Sequence, residues 1–172
     1  EPGARAATRE TWRRYRHLEL KPRLAARRQL HRAAILEALP LETAGVGRLG
    51  LYPAGYGVSA TWLTCRYPDL DILGIEPRAD QARVAARVLG DLHAVVTGGP
   101  GDLPDDVSMG AVCVDSGQFP EPMVLTSNDV REFYRRLSED GVMVVLTPEG
   151  AQGDGAPEAI MATAGFRGVR LL

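Results

Sequence analysis

Two glycines and three carboxylates carry most of the chemistry this sequence offers. Gly55 and Gly57 follow a run, 48–53, that reads as a strand and precede one, 58–67, that reads as a helix. Lacking a Cβ, they let backbone N–H groups come close to a ligand beside a helix N-terminus. A tight strand-to-helix turn needs glycines on its own account, so the pair alone is a weak signal. Glu76 closes the next apolar run, nineteen residues after Gly57. A carboxylate there can accept both hydroxyl hydrogens of a ribose; the plainer alternative is an exposed loop acid. Asp102 lies in the Gly-, Pro- and Asp-rich loop 97–106 and is the acid best placed to accept a hydrogen bond from the exocyclic amine of an adenine. Asp105 and Asp106 beside it can equally be solvated. Asp115 ends a β-branched run and is followed by Ser116 and Gly117. It can hold an ammonium group, act as a general base, or cap a nearby turn.

These residues share one edge of the elements that must position them. Strands are expected at 48–53, 71–77, 93–98, 110–116 and 142–148, alternating with helices at 58–67, 79–90 and 126–140. Gly90 and Gly141 close the last two helices, and Thr126 with Asp129 forms a capping box. After a linker at 149–157, a helix at 157–165 and a strand at 166–172 end the chain. This alternation predicts an α/β, Rossmann-like, doubly wound and mostly parallel sheet with helices on both faces. The ligand crevice of such a sheet lies at the carboxyl ends of its strands, where the glycine loop, Glu76, the Asp102 loop and Asp115 all fall. Ahead of it, residues 1–7 read as a frayed end. Thr8 caps a helix at 8–20, Pro22 interrupts it, and a second helix at 23–40 carries an apolar stripe of Leu30, Ala34, Ile35, Ala38 and Leu39 up to Pro40. The expected organisation is an arginine-rich helical extension, 1–45, and a nucleotide-binding domain, 46–172.

Bulk properties narrow the classes. A chain of 172 residues, 45% hydrophobic and 24% charged, suits one soluble globular domain. The net charge of −2 gives no overall attraction to nucleic acid or membrane. No stretch is apolar for about 18 residues and no signal peptide is visible. The chain begins at Glu1, as a trimmed chain or a piece of a longer protein would. Cys65 and Cys113 are far apart and read as buried thiols, which fits a reducing, cytoplasmic setting. His17, His31 and His93 are separated; neither a metal site nor a Ser-His-Asp set is expected. Ten of the twenty Lys and Arg residues lie within 1–32, with Trp12 and Tyr15 among them. The default for this stretch is a solvated helix face. A surface for an acidic partner or nucleic acid, or a lid over a cofactor, stays open.

The order of these features is similar to that of a known family. The segment 48–90 resembles motif I and the following acidic motif of the class I S-adenosylmethionine-dependent methyltransferases. Segments 110–120 and 132–150 look like that family's fourth and fifth strands, and 163–172 like its last helix entering a strand. The resemblance implies an S-adenosylmethionine cofactor surrounded by Tyr52, Ala54, Gly55, Gly57, Glu76, Pro77, Asp102 and Asp115. Gly55 and Gly57 would approach its methionine part, Glu76 would bind the ribose, and the Asp102 loop would meet the adenine. Asp115 would face the methionine end and the substrate, as a general base for a poorly nucleophilic acceptor. Two positions depart from the pattern: Leu51 stands where the family has an acid, and Pro53 stands at its first glycine. Methyl transfer to a small-molecule acceptor is the implied function, by in-line attack in a site that supplies orientation and closure. A homodimer is left open. A second resemblance, over 115–145, is to spermidine synthases, in which Asp115 matches and Gln118 or Phe119 replaces the second acid. A third, over 53–60, is to nicotianamine synthases. Aminopropyl or aminocarboxypropyl transfer is therefore an alternative. So is a non-catalytic domain of this fold that binds a partner protein, which Leu51 and Pro53 favour and Glu76 opposes.

Overall fold

Alternation along the first strand sets the architecture. In β1 (Arg48–Tyr52), Leu49 and Leu51 face one layer and Tyr52 the other, because successive side chains of a strand point to opposite sides. The computed structural model describes residues 2–32, 36–39, 47–115 and 125–146. Within them five strands pair in the order β3-β2-β1-β4-β5, every neighbouring pair parallel. The others are β2 (Asp71–Glu76), β3 (Ala94–Thr97), β4 (Met109–Asp115) and β5 (Leu137–Leu146). The linker at 149–157, the helix at 157–165 and the strand at 166–172 lie outside the described residues.

Both faces of the sheet are covered, as a parallel sheet requires. On one face Leu49, Leu51, Ile72, Ala111 and Cys113 pack against Ala60, Trp62 and Leu63 of α3 (Val58–Arg66), and Leu89 of α4 (Ala79–Leu89) joins them. On the other, Tyr52, Leu73, Ile75, Val112 and Val114 pack against Val130 and Phe133 of α5 (Ser127–Arg136). Met109 packs over Gly50 at the centre, where a Cβ would lie 2.6 Å from its Sδ. The chain leaves β1 toward β2 and returns to β4 on the opposite side, so the switch point of this open sheet falls between β1 and β4.

Three element boundaries differ from expectation. The first helix, α1, runs Pro2–Tyr15, so residues 2–7 are helical rather than frayed. Its inward stripe is Ala7, Thr11 and Tyr15, and Ala7 joins the main core. Thr8 sits inside the helix and accepts a hydrogen bond from Trp62 Nε1 at 3.0 Å instead of capping. The break between the first two helices falls at residues 16–19, ahead of Pro22, which lies in the first turn of α2 (Leu20–Gln29), where a missing N–H costs nothing; after Gln29 the chain passes into a 3-10 turn, Leu30–Arg32, rather than continuing the expected helix of 23–40. The expected helix at 126–140 stops at Arg136; its Thr126–Asp129 capping box is present, with Asp129 N–H donating to Thr126 Oγ1 at 3.1 Å. Arg136 is buried there and donates through Nη2 to the Leu103 carbonyl at 2.8 Å, which holds the helix end against the loop before β4. The chain then pairs at Leu137, bulges, and resumes the ladder at Val142.

Candidate functional site

The chain crosses from β1 to α3 in a turn stitched to the end of β2. Ala54 N–H donates to the Ile75 carbonyl at 2.8 Å, and Gly57 N–H to the Ala54 carbonyl at 2.9 Å. Gly55 (φ 58°) and Gly57 (φ 78°) hold left-handed conformations that favour glycine. A Cβ on Gly57 would also come within 3.1 Å of Ala85 Cα in α4. Residues 52–57 are buried throughout.

Glu76 ends β2 directly beneath this turn. Its Oε2 accepts the Gly55 N–H at 2.6 Å and its Oε1 accepts the Arg78 N–H at 2.9 Å. The side chain has no solvent exposure. Burial pushes its carboxyl above the usual range, against the opposing pull of the two backbone N–H groups and the Arg78 charge. The exposed loop acid is thereby ruled out. Glu76 is a buried acceptor whose partners are the glycine turn and Arg78, two residues on. A carboxylate offers about four acceptor positions, so ribose hydroxyls have sites left to use once they can reach them.

A second tie comes from outside the sheet. Tyr15, fully buried at the end of α1, donates through its hydroxyl to the Tyr56 carbonyl at 2.6 Å. Thr61 Oγ1 lies 3.3 Å from the same hydroxyl, but its proton goes to the Gly57 carbonyl at 2.8 Å. Both protons are thus committed to the backbone of the turn. Burial holds the Tyr15 phenol well above its usual range. The N-terminal helix therefore clamps the glycine turn from one side while Glu76 holds it from the other. Sequence reasoning missed this role for Tyr15. The repeat Ala7, Thr11, Tyr15 at steps of four was the signal that it faces inward.

The remaining candidates are arranged around this centre. Tyr52 packs edge-on against Phe133, ring centroids 5.3 Å apart. Its hydroxyl is held above its usual range, first by burial and then by Asp129, Glu76 and Asp102. Ala54 lies against the sheet at Gly74, where a Cβ would come within 3.2 Å of the Ala54 Cβ. Pro77 is exposed at the rim. Asp102 is exposed and its carboxylate accepts the Gly99 N–H at 2.8 Å, closing the 3-10 turn Pro100–Asp102. Asp115 is half-buried at the end of β4 and lines a small space with Leu51, Pro53, Ala54, Ser59 and Leu146. That space measures about 10 Å³, room for about one water and no more. The turn, Glu76 and Asp115 are thus brought to the switch point, while Asp102 is engaged with its own loop. Ser116, Gly117, Gln118 and Phe119 lie outside the described residues.

The histidines and cysteines fall elsewhere. His93 Nδ1 accepts the Ile72 N–H at 3.3 Å, and its Nε2 lies 2.8 Å from Thr64 Oγ1. Thr64 spends its proton on the Ala60 carbonyl, so His93 donates from Nε2 as a neutral ring. Cys113 is buried as expected, but Cys65 is only partly so. Among the described residues no group of three His, Cys, Asp or Glu can hold a metal ion, and no helix is long and apolar enough to cross a membrane.

No protein-family model matches the sequence, and no curated protein matches it. Solved structures do. Human N-acetylserotonin methyltransferase in complex with S-adenosylmethionine superposes with a TM-score of 0.61 at 13% identity, over 93% of this chain and 51% of that one. A Galdieria sulphuraria protein assigned as a sarcosine dimethylglycine methyltransferase gives 0.55 at 20% identity, over 81% and 58%. Coclaurine N-methyltransferase bound to N-methylheliamine and S-adenosylhomocysteine gives 0.51 at 17% identity, over 65% and 34%. The chain spans about half the length of the first two and a third of the last. Its fold is that of the class I S-adenosylmethionine-dependent methyltransferases. The resemblance to spermidine synthases gains nothing from these structures.

Proposed function

We propose that this domain binds S-adenosylmethionine across the carboxyl ends of β1, β2 and β4 and serves methyl transfer to a small molecule. The observation that carries the reading is the meeting of the Gly55–Gly57 turn with the Glu76 carboxylate at the switch point of the sheet. The acceptor class is supported by the likeness to N-acetylserotonin and coclaurine methyltransferases, both named for small-molecule acceptors.

The residues fit the nucleoside on one condition: the turn must lift from Glu76. Ribose hydroxyls would then reach acceptor positions on Glu76, and Asp102 at the rim would accept the adenine amine in place of the Gly99 N–H. Asp115 sits beside Pro53 and Ala54, where it would face the methionine end and take a proton from the acceptor. S-adenosylmethionine, when bound, supplies the activated methyl group; these side chains bind, orient and exclude water. Because opening precedes binding, the apparent affinity falls by the fraction of molecules with the turn open.

Equilibrium dialysis against S-adenosylhomocysteine tests the reading. One-to-one binding that Glu76→Ala weakens by about 1–3 kcal/mol, the cost of charge-assisted bonds, is the expected result. No uptake at millimolar ligand overturns it. That outcome favours the second reading, a non-catalytic domain of this fold, which rests on the same carboxylate. Both Glu76 oxygens already accept backbone N–H groups, and Leu51 and Pro53 offer neither an acid nor an N–H to the methionine end.

A further inference from the structure

A groove that shares no lining residue with this site lies between α1 and the end of α2. It is open, about 780 Å³, and is lined by Ala4, Arg5, Thr8, Arg9 and Trp12 from α1 and by Arg27, Leu30 and His31 from α2 and the turn after it. Arg5, Thr8, Arg9 and Trp12 fall at helical steps of three, one and three and so share one face of α1. The floor is fixed to the core, because Thr8 Oγ1 accepts the Trp62 Nε1 proton and Trp62 is fully buried.

The arginines of this groove differ from those that pair with carboxylates. Arg13 and Arg14 share Glu10, Arg48 pairs with Asp71, Arg66 with Glu37, and Arg136 with Glu132. Arg5, Arg9 and Arg27 are exposed and have no carboxylate partner among the described residues. Trp12 stands among them 38% exposed. Charge is also segregated: residues 1–32 hold ten Lys and Arg against three Glu, and the rest of the chain holds ten against nineteen acids. A polyanion is therefore drawn to the N-terminal helices and repelled by the remainder.

We infer that this groove binds single-stranded nucleic acid, with phosphates on Arg5, Arg9 and Arg27 and a base stacked on Trp12. Guanidinium groups match phosphate oxygens two at a time, and an aromatic ring between arginines is the arrangement that holds unpaired bases. An acidic helix from a protein is the rival occupant, since Ala4, Leu30 and Trp12 also line the groove; a polyglutamate of matched charge separates the two. The inference is independent of what the glycine turn binds.

The test is fluorescence anisotropy with a labelled oligonucleotide of about twelve nucleotides, a length within the range of single-strand sites. Saturable binding is expected at low salt. The logarithm of the affinity should fall with the logarithm of salt at a slope of about −2, three phosphates at ~0.7 each. Arg5→Gln, Arg9→Gln and Arg27→Gln should each flatten that slope by about 0.7. Trp12→Ala should weaken binding about five-fold or more, and Trp12→Phe should restore part of it. Arg13→Gln, whose side chain already pairs with Glu10, should leave the slope unchanged. These side chains are exposed, and circular dichroism of each variant confirms that it folds. Equal affinity for polyglutamate of matched charge, tighter binding of duplex than of single strand, an unaltered affinity in Trp12→Ala, or no binding at low salt would each overturn the inference. So would displacement of the oligonucleotide by self-association of the chain.

Discussion

Tyr15→Phe isolates the clamp on the glycine turn. The substitution keeps the ring that packs with Ala25, Ala26, Tyr56 and Val58 and removes one hydroxyl. Packing loss is therefore negligible. The Tyr56 carbonyl loses a donor at 2.6 Å in a site from which water is excluded. A buried acceptor left unsatisfied costs about 1–3 kcal/mol. With a urea m-value of ~2 kcal/mol/M, the unfolding midpoint should drop by about 0.5–1.5 M. Proton bookkeeping adds a sharper expectation. The Thr61 proton goes to the Gly57 carbonyl and the Tyr15 proton to the Tyr56 carbonyl, so neither hydroxyl donates to the other. A double-mutant cycle of Tyr15→Phe with Thr61→Val should give a coupling below about 0.5 kcal/mol despite their 3.3 Å separation. A midpoint shift under ~0.2 M would refute the clamp, and a coupling above ~1 kcal/mol would refute the assignment of the protons.

Other perturbations follow from the same geometry. Gly57→Ala places a Cβ in a left-handed residue 3.1 Å from Ala85 Cα and should cost about 2 kcal/mol or more in the same urea assay. Arg136→Met should cost about 2–4 kcal/mol, because it strips the Leu103 carbonyl of its donor and leaves Glu132 without its buried partner. His93 is held below the usual imidazole range by burial. As pH falls through about 6.5 the unfolded chain takes up the proton first. Stability is therefore unaffected by this ring above that pH and declines below it; His93→Gln should flatten that decline in stability measured from pH 8 to about 5.

The parallel sheet was legible because its strands are short apolar runs, such as 49–52 and 111–114, each ending in a turn or an acid. Their order along the chain placed Gly55, Glu76 and Asp115 at one edge without any knowledge of contacts. What Glu76 touches was not legible: its partner Gly55 is twenty-one residues away, and spacing shows where a carboxylate sits but not whether a loop closes over it. The Tyr15–Tyr56 bond spans forty-one residues and is invisible for the same reason. Local chemistry misled at Pro22, which reads as a helix breaker but occupies a first turn. It misled again at Arg136, where the helix ends with its last side chain on the Leu103 carbonyl, five residues short of Gly141.

The central claim is that a nucleoside is received at Glu76 beneath the glycine turn. The backbone amide resonances of Gly55 and Arg78, followed by nitrogen-15 NMR during titration with S-adenosylhomocysteine, report on it most directly, since both amides now donate to that carboxylate. The account predicts that both resonances move along one saturable curve and that the Gly55 amide exchanges faster with solvent once its bond to Oε2 is given up. Resonances that stay in place at millimolar ligand, or a saturable curve seen only at residues far from Glu76, would contradict it.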